Sequence, residues 1–263
     1  MSGTNAGLDT QATESKKPEK ASLLDDFMDI FYAPSAVFAR RANAGFWIPL
    51  LIISVIVGIT FIANRDLLEP IMDAEFARAM AKANAPQMSA DQLATARKFS
   101  NIAASGAAFI GTPIAIMLIG VVVWLVGKFF DAKQTMHAAI VVATFSYVPK
   151  VVEGVLARVQ GLFLDPSTLN SRYSLSLGIG RFLDPDTTSP LLLGLVGRID
   201  VFTIWVTVLI AIGLAVTGKI SRGRAAIAAV VVCGAHRRQT RQLHRHAGQQ
   251  HEDAGHRRGG ARV

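Results

Sequence analysis

The stretch IDVFTIWVTVLIAIGLAVT, from Ile199 to Thr217, decides the fold of this chain. It is 19 residues long, and its single ionisable group, Asp200, lies at one end. As a helix it would extend about 28 Å, close to the ~30 Å hydrocarbon thickness of a bilayer. About eleven of its side chains are strongly apolar, which favours insertion by about 3 to 7 kcal/mol before polar costs. Because it offers no polar face to water, the stretch is predicted to span a membrane.

Further apolar runs extend this prediction to most of the chain. The predicted spans cover residues 45–63, 103–127, 136–156 and 199–217, with a partial fifth at 225–235. Together they predict an all-α polytopic helical membrane bundle, with four clear spans plus a truncated or altered fifth, in a membrane domain of residues 43–235. The composition agrees, because 51% of all residues are hydrophobic.

The N-terminal 42 residues precede the first predicted span. Residues 1–20 are polar and rich in Ser, Thr, Lys and Glu, so we expect a disordered tail and no secretory signal peptide. In residues 21–42, Ser22 is predicted to cap an amphipathic helix that lies in the headgroup region. The alternative is an ordinary amphipathic helix packed on protein. The interfacial position is preferred because Arg40 and Arg41 lead directly into a span.

Positive charge predicts the orientation of the bundle. Lys and Arg are densest near the span ends that face the cytoplasm if the N-terminus lies inside. These residues are Arg40, Arg41, Lys128, Lys133, Lys219, Arg222 and Arg224. We therefore expect a multi-pass protein of a bacterial inner (cytoplasmic) membrane, with a cytoplasmic N-terminus and with residues 66–100 and 157–197 outside.

The net charge of +8 does not indicate a nucleic-acid partner. The last 28 residues, from His236, hold seven Arg against Glu252 and Asp253, which accounts for +5 of the +8. The remaining +3 is spread over a long chain interrupted by apolar runs. The single cysteine, Cys233, excludes an internal disulfide and a cysteine-cluster metal site.

Residues 236–263 form a basic tail that we expect to be disordered. Apolar residues stop abruptly after Cys233, so Ala225 to Ala235 would reach only about 16 Å as a helix. A reading-frame shift near Cys233 explains this break better than a selected metal-binding or lipid-binding tail, although five of the six histidines lie there.

Small residues recur at four-residue spacing on the spans. Helices in lipid gain cohesion from close backbone approach and interhelical hydrogen bonds, so these stripes are predicted contact faces. The strongest stripe lies on the 199–217 span. The predicted packing residues are Ser54, Gly58, Gly111, Ala115, Thr203, Thr207, Ala211 and Ala215.

Few residues suggest chemistry. Lys150 and Glu153 are three residues apart near a span end and are predicted to form an intramembrane polar pair. A structural role for this pair is preferred over a proton or ion relay. Gly213 to Ser221 imitates a phosphate-binding loop, but a membrane span precedes it and Ile220 occupies the hydroxyl position. We predict no catalytic, cofactor-binding or metal-binding residue, no cofactor and no enzymatic activity.

Two short motifs resemble the Yip family of multi-pass membrane proteins, in its bacterial-type members. Phe31-x-x-Pro34-x-x-x-Phe38 precedes the first span, and Asp200-x-Phe202-x-x-Trp205 begins the fourth. The resemblance covers roughly residues 25 to 233 and implies a five-span helical domain with a cytoplasmic N-terminus. In eukaryotes the family is associated with Rab-type GTPases and vesicle traffic. The family has no catalytic motif, so the resemblance implies no catalytic residues.

Three function classes remain open. The preferred one is a non-enzymatic membrane scaffold or adaptor that binds partner proteins or organises lipid. The second is a small permease or transporter component, which the mid-span Pro113 keeps in consideration. The third is a membrane-embedded enzyme. The expected partners are membrane lipid and a protein partner or a second copy of the chain.

Overall fold

A computed structural model describes residues 21–82 and 89–234. The described residues form helices and loops, without a β-strand. The helices are α1 (Leu23–Tyr32), α2 (Pro34–Arg41), α3 (Trp47–Ala63), α4 (Arg65–Lys82), α5 (Ala90–Gly106), α6 (Thr112–Phe129), α7 (Met136–Ser146), α8 (Val148–Gly161), α9 (Pro190–Val196), α10 (Val201–Gly218) and α11 (222–234). The predicted tails, residues 1–20 and 236–263, lie outside the described residues.

Hydropathy and helix length support a membrane bundle. In the described ranges, three helical segments are long and apolar enough to cross a membrane: Asp91–Phe129, Met136–Gly161 and Val201–Gly218. A fourth crossing is counted if α3 and α4, which meet at a 77° bend, form one span. The all-α helical membrane fold predicted from the sequence is confirmed.

The centre of the bundle is occupied by α7. Every residue from Ala138 to Ser146 is buried. Gly120 of α6 lies so close that a Cβ there would sit 2.8 Å from the Cα of Ile140. On another side, a Cβ at Gly213 of α10 would overlap the side chain of Val142. Glycine thus lets both neighbouring helices approach the α7 backbone closely.

The long helical segment Asp91–Phe129 is interrupted by a π-helical turn. This turn, Ala107–Gly111, lies just before Pro113. Proline cannot donate a backbone hydrogen bond and collides with the preceding turn, so the wider π-turn accommodates it. The π-turn is thus the irregularity that accompanies the mid-span Pro113. It places the ring of Phe109 against Gly58 of α3, where a Cβ would overlap the ring.

The loops and helix ends gather at two opposite ends of the bundle. At one end the two segments predicted to lie outside are joined by the ion pairs Arg158–Asp66, Arg172–Glu75 and Arg78–Asp186. At the other end the N–H of Lys133 donates to the carbonyl oxygen of Gly218 at 2.9 Å. The rings of Phe46 and His137 lie 5.2 Å apart there. These contacts therefore join chain segments at each of the two ends of the bundle.

Residues 21–42 form two helices in place of the single interfacial helix that the sequence predicts. The chain bends at Ala33, and the Nη2 of Arg41 donates to the carbonyl oxygen of Ala21 at 3.1 Å, so α1 and α2 run antiparallel. The apolar side chains fully buried against the bundle are Ile30, Val37 and Phe38. This hairpin packs on protein because α1 is apolar on two sides and Val37 and Phe38 add an apolar side of α2.

Candidate functional site

The two family-like motifs meet in the structure. Phe31, in the last turn of α1, packs edge-on against Trp205 of α10, with ring centroids 5.1 Å apart and ring planes at 72°. Trp205 in turn stacks on Phe202 at 6.5 Å. Phe38 is fully buried, and Pro34 begins α2, where its missing N–H costs no helical hydrogen bond. The aromatic residues of both motifs therefore fix the hairpin to the beginning of α10.

Asp200, the remaining motif residue, caps α10. Its Oδ1 accepts hydrogen bonds from the N–H groups of Phe202 at 2.9 Å and Thr203 at 3.3 Å. Its Oδ2 accepts from the hydroxyl of Ser176 at 2.6 Å. A carboxylate at a helix N-terminus satisfies otherwise unpaired donors and favours the helix dipole. Asp200 therefore has a structural role, in which it also holds the loop before α9 to the start of α10.

An ion-pair network closes the open end of the hairpin. Asp26 has no exposed side-chain surface and pairs with both Arg40 and Arg41. The Nε of Arg40 lies 2.5 Å from Asp26 Oδ1, and its Nη2 pairs with Asp29. Each arginine thus offers its planar donors to a carboxylate on the opposite helix. The sequence indicated these charges but not their pairing, because the partners are 11 to 15 residues apart.

A cavity of about 440 Å³ lies near the end of the bundle that carries the predicted outer segments. Its walls come from α3, α4, α8 and the loop at residues 172–176. The polar lining residues are Thr60, Asn64, Tyr147, Lys150, Glu153, Arg172 and Ser176, and the others are mainly apolar. A cavity of this size, apolar with a few polar groups, has the usual character of a small-ligand site.

The predicted polar pair lines this cavity. Lys150 Nζ lies 2.5 Å from Glu153 Oε2, and both side chains are partly exposed. The two groups form an ion pair within α8. Arg172 donates a hydrogen bond to Glu75, which is not a lining residue of the cavity. This hydrogen bond raises the pKa of Arg172 above its ordinary value.

Asn64 is the most deeply buried polar group of the cavity. It is 5% exposed and ends α3 at the bend toward α4. Its Nδ2 donates to the carbonyl oxygens of Thr60 at 2.8 Å and Gly154 at 3.1 Å, which joins α3 to α8. Its Oδ1 has no hydrogen-bond partner within the described part of the chain. The cavity therefore contains an acceptor without a donor.

The predicted packing residues differ in their contacts. Ser54 and Gly58 are buried on α3, and Thr207 Oγ1 lies 3.1 Å from Cys233 Sγ of α11. The remaining α10 stripe residues, Thr203, Ala211 and Ala215, are half-buried. On α6 the structure differs from the prediction, because Gly111 and Ala115 lie beside the packed face. That face consists of Thr112, Ile116, Gly120, Val123 and Gly127.

The predicted packing residue Gly58 makes one close helix contact, with the ring of Phe109, but other close contacts were not predicted. They occur at Gly120, Gly154 and Gly213, where an added Cβ would collide with α7 or, at Gly154, lie 2.5 Å from Thr60 Cγ2. The sequence signal for these contacts was a glycine within an apolar span, because glycine allows the backbones of two helices to approach each other closely. Among the described residues, no three His, Cys, Asp or Glu side chains gather in a way that could hold a metal ion.

The Yip1 domain family matches residues 28–236, from the hairpin to the end of α11. The chain belongs to the Yip1 family. This Yip1 domain is similar to membrane protein YknW of Bacillus subtilis strain 168, with 26% identity over 221 residues. The match covers 82% of this chain and 87% of that protein. No solved structure matches the chain.

The family match confirms the resemblance carried by the two motifs and shows that the chain is a membrane protein of the Yip1 family. The Yip1 domain ends at residue 236, three residues beyond Cys233, where the apolar run gives way to the basic tail. The aromatic contact between Phe31 and Trp205 thus lies inside the domain, while the tail lies outside it.

Proposed function

We propose that this Yip1-domain protein is a non-enzymatic membrane adaptor that binds a partner protein in a bacterial cytoplasmic membrane, with its own N-terminus in the cytoplasm. The observation that carries the proposal is an apolar stripe on the outer side of α1. Leu24, Met28 and Tyr32 lie four residues apart and are 76%, 61% and 82% exposed. The opposite side of α1 is held to the bundle, so this outer stripe is presented on a fixed surface.

The depth of the outer stripe favours a protein over lipid alone. Tyr32 follows Phe31, which packs on Trp205. Trp205 lies about 20 Å along α10 from Gly218, the last residue of that helix. The Tyr32 hydroxyl has no hydrogen-bond partner among the described residues. A hydroxyl left without a partner in hydrocarbon costs about 4 kcal/mol. A partner protein with an acceptor near Tyr32 removes that cost, whereas acyl chains do not.

A small permease component is the second candidate, because the cavity lined by Lys150 and Glu153 resembles a solute site. A permease needs a path that joins the two ends of the bundle. The buried run from Ala138 to Ser146 fills the centre of the bundle with side chains that are mainly apolar. This packing supports the adaptor over the permease. The adaptor proposal predicts that proteoliposomes show no solute flux above that of empty vesicles.

Site-specific photo-crosslinking in native membranes tests the adaptor proposal. A photoreactive residue at Met28 on the outer stripe is expected to yield a protein adduct of discrete mass. The matched control is Val208, which is 48% exposed on α10 and is expected to yield lipid adducts. Tyr32→Phe keeps the ring but removes the hydroxyl, and it should lower the yield at Met28 several-fold. Lipid adducts alone at Met28 would refute the proposal, and an adduct of twice the chain mass would identify a second copy as the partner.

A further inference from the structure

We propose that the cavity between α3 and α8 binds the headgroup of a zwitterionic phospholipid that carries a primary ammonium group. This goes beyond the adaptor function, because it concerns a lipid site at the opposite end of α3 from the hairpin's ion-pair network. The cavity offers one cation, one anion and one unpaired acceptor above an apolar wall. Each of these features selects a part of the ligand.

The ionic lining matches a zwitterion. Lys150 and Glu153 present opposite charges side by side, with Nζ and Oε2 2.5 Å apart. The positive charge of Arg172 is balanced by its ion pair with Glu75. A bound anion would be attracted by Lys150 but repelled by Glu153. A bound cation would be attracted by Glu153 but repelled by Lys150, so either ion makes one unfavourable contact. A phosphate beside Lys150 with a linked ammonium beside Glu153 satisfies both.

The unpaired acceptor selects the kind of ammonium. Asn64 Oδ1 is buried and receives no hydrogen bond within the described residues, whereas Glu153 Oε2 is paired with Lys150 Nζ. Buried acceptors are normally satisfied, so a donor is expected in the cavity. A primary ammonium has three N–H donors, whereas a trimethylammonium has none. The site therefore distinguishes phosphatidylethanolamine from phosphatidylcholine.

The apolar wall accounts for the attached hydrocarbon. Val57, Phe61 and Val151 line the cavity on the side of α3 and α8 and are only partly buried. Next to them, Ile56, Ile59 and Val155 are exposed on the outer faces of the same helices. The cavity thus continues into the surface that acyl chains cover, so a lipid reaches it with its tails still in the bilayer.

Lipid retention by the purified protein tests this site. The protein in mild detergent is exposed to phosphatidylethanolamine, phosphatidylcholine or phosphatidylglycerol with identical acyl chains, and bound lipid is counted by native mass spectrometry. We expect phosphatidylethanolamine to be retained at least about fivefold over each of the others. Equal retention of phosphatidylcholine, or stronger retention of phosphatidylglycerol, would overturn the proposal.

Two variants and one control locate the site. Glu153→Gln removes the anion while it keeps the shape, and it should abolish the preference over phosphatidylcholine. Asn64→Leu should do the same, and because Asn64 also joins α3 to α8, its thermal unfolding is measured in parallel. The control is Arg158→Gln. Arg158 lies on α8 outside the cavity, and the substitution breaks its exposed ion pair with Asp66. Unchanged preference in Glu153→Gln, or equal loss in Arg158→Gln, would place the lipid elsewhere.

Discussion

Gly213 of α10 faces Val142 of α7 with no room between them for a methyl group. Because lipid chains are as apolar as the side chains, membrane helices gain little from apolar contact alone and depend on close packing. This glycine brings the α10 backbone against the central helix. The contact between Gly213 and Val142 is therefore expected to carry much of the cohesion of the bundle.

Gly213→Ala tests that contact with a single added methyl group. The new Cβ would overlap Val142, so we expect a loss of about 1 to 3 kcal/mol in the free energy of unfolding. Unfolding in mild detergent, followed by circular dichroism, measures the loss. The matched control is Gly106→Ala in α5, where a Cβ meets nothing within 4 Å among the described residues. Alanine is the better helix former there, so a small gain is expected. A gain at both positions would contradict the packing.

Asp26→Asn should loosen the hairpin formed by α1 and α2. The variant keeps the shape of the side chain but leaves Arg40 and Arg41 without their buried carboxylate. We expect amide hydrogen exchange across α1 and α2 to rise at least about tenfold, while exchange in α7 stays unchanged. Asp29→Asn is the control, because this exposed carboxylate pairs with Arg40 at the rim of the same network. Equal exchange in the two variants would show that burial of Asp26 contributes nothing.

Labelling with an impermeant maleimide in intact cells tests the orientation. Cys233 is first replaced by Ser, and single cysteines are introduced at Thr187 and Lys133, which are both exposed. We expect Thr187→Cys to react from outside and Lys133→Cys to react only after permeabilisation, because positive span ends face the cytoplasm. Gln134 is a poor site because it is buried and donates to the carbonyl oxygen of Val123. The reverse labelling pattern would invert the topology.

The gene itself tests the origin of the basic tail. The Yip1 match ends at residue 236, close to the break after Cys233. We expect one of the other two reading frames downstream of the Cys233 codon to continue the apolar run of α11 for about ten residues, which would complete a span. If neither frame does so, the tail is a selected sequence and the frameshift hypothesis is wrong.

Hydropathy and capping residues predicted much of this fold. The spans follow from the length of the apolar runs, and Ser22 caps α1 with the hydroxyl that the sequence indicated. Lys150 and Glu153 face one side of a helix because they are three residues apart, so their proximity needed no tertiary information. These features depend on local sequence, which explains why they were accessible.

Features that depend on helix rotation were not predicted. A membrane helix is apolar on all sides, so hydropathy does not show which face packs on protein, and the packed face of α6 lies one residue from the predicted one. The network at Asp26 and the bond from Asn64 to Gly154 join residues distant in the chain. The cavity requires four separate segments, and no local pattern reports such an arrangement.

The central position of α7 also bears on how the protein is made. The most apolar 18 residues of Met136–Gly161 have a mean hydropathy of 1.5, against 2.5 and 2.2 for the same length of the other two continuous spans. During synthesis α6 covers one side of α7 at once, but Gly213 leaves the ribosome about 70 residues after Val142. Until then the side of α7 at Val142 that Gly213 covers in the bundle has no helix beside it. We therefore expect α7 to stay next to the translocon until α10 arrives.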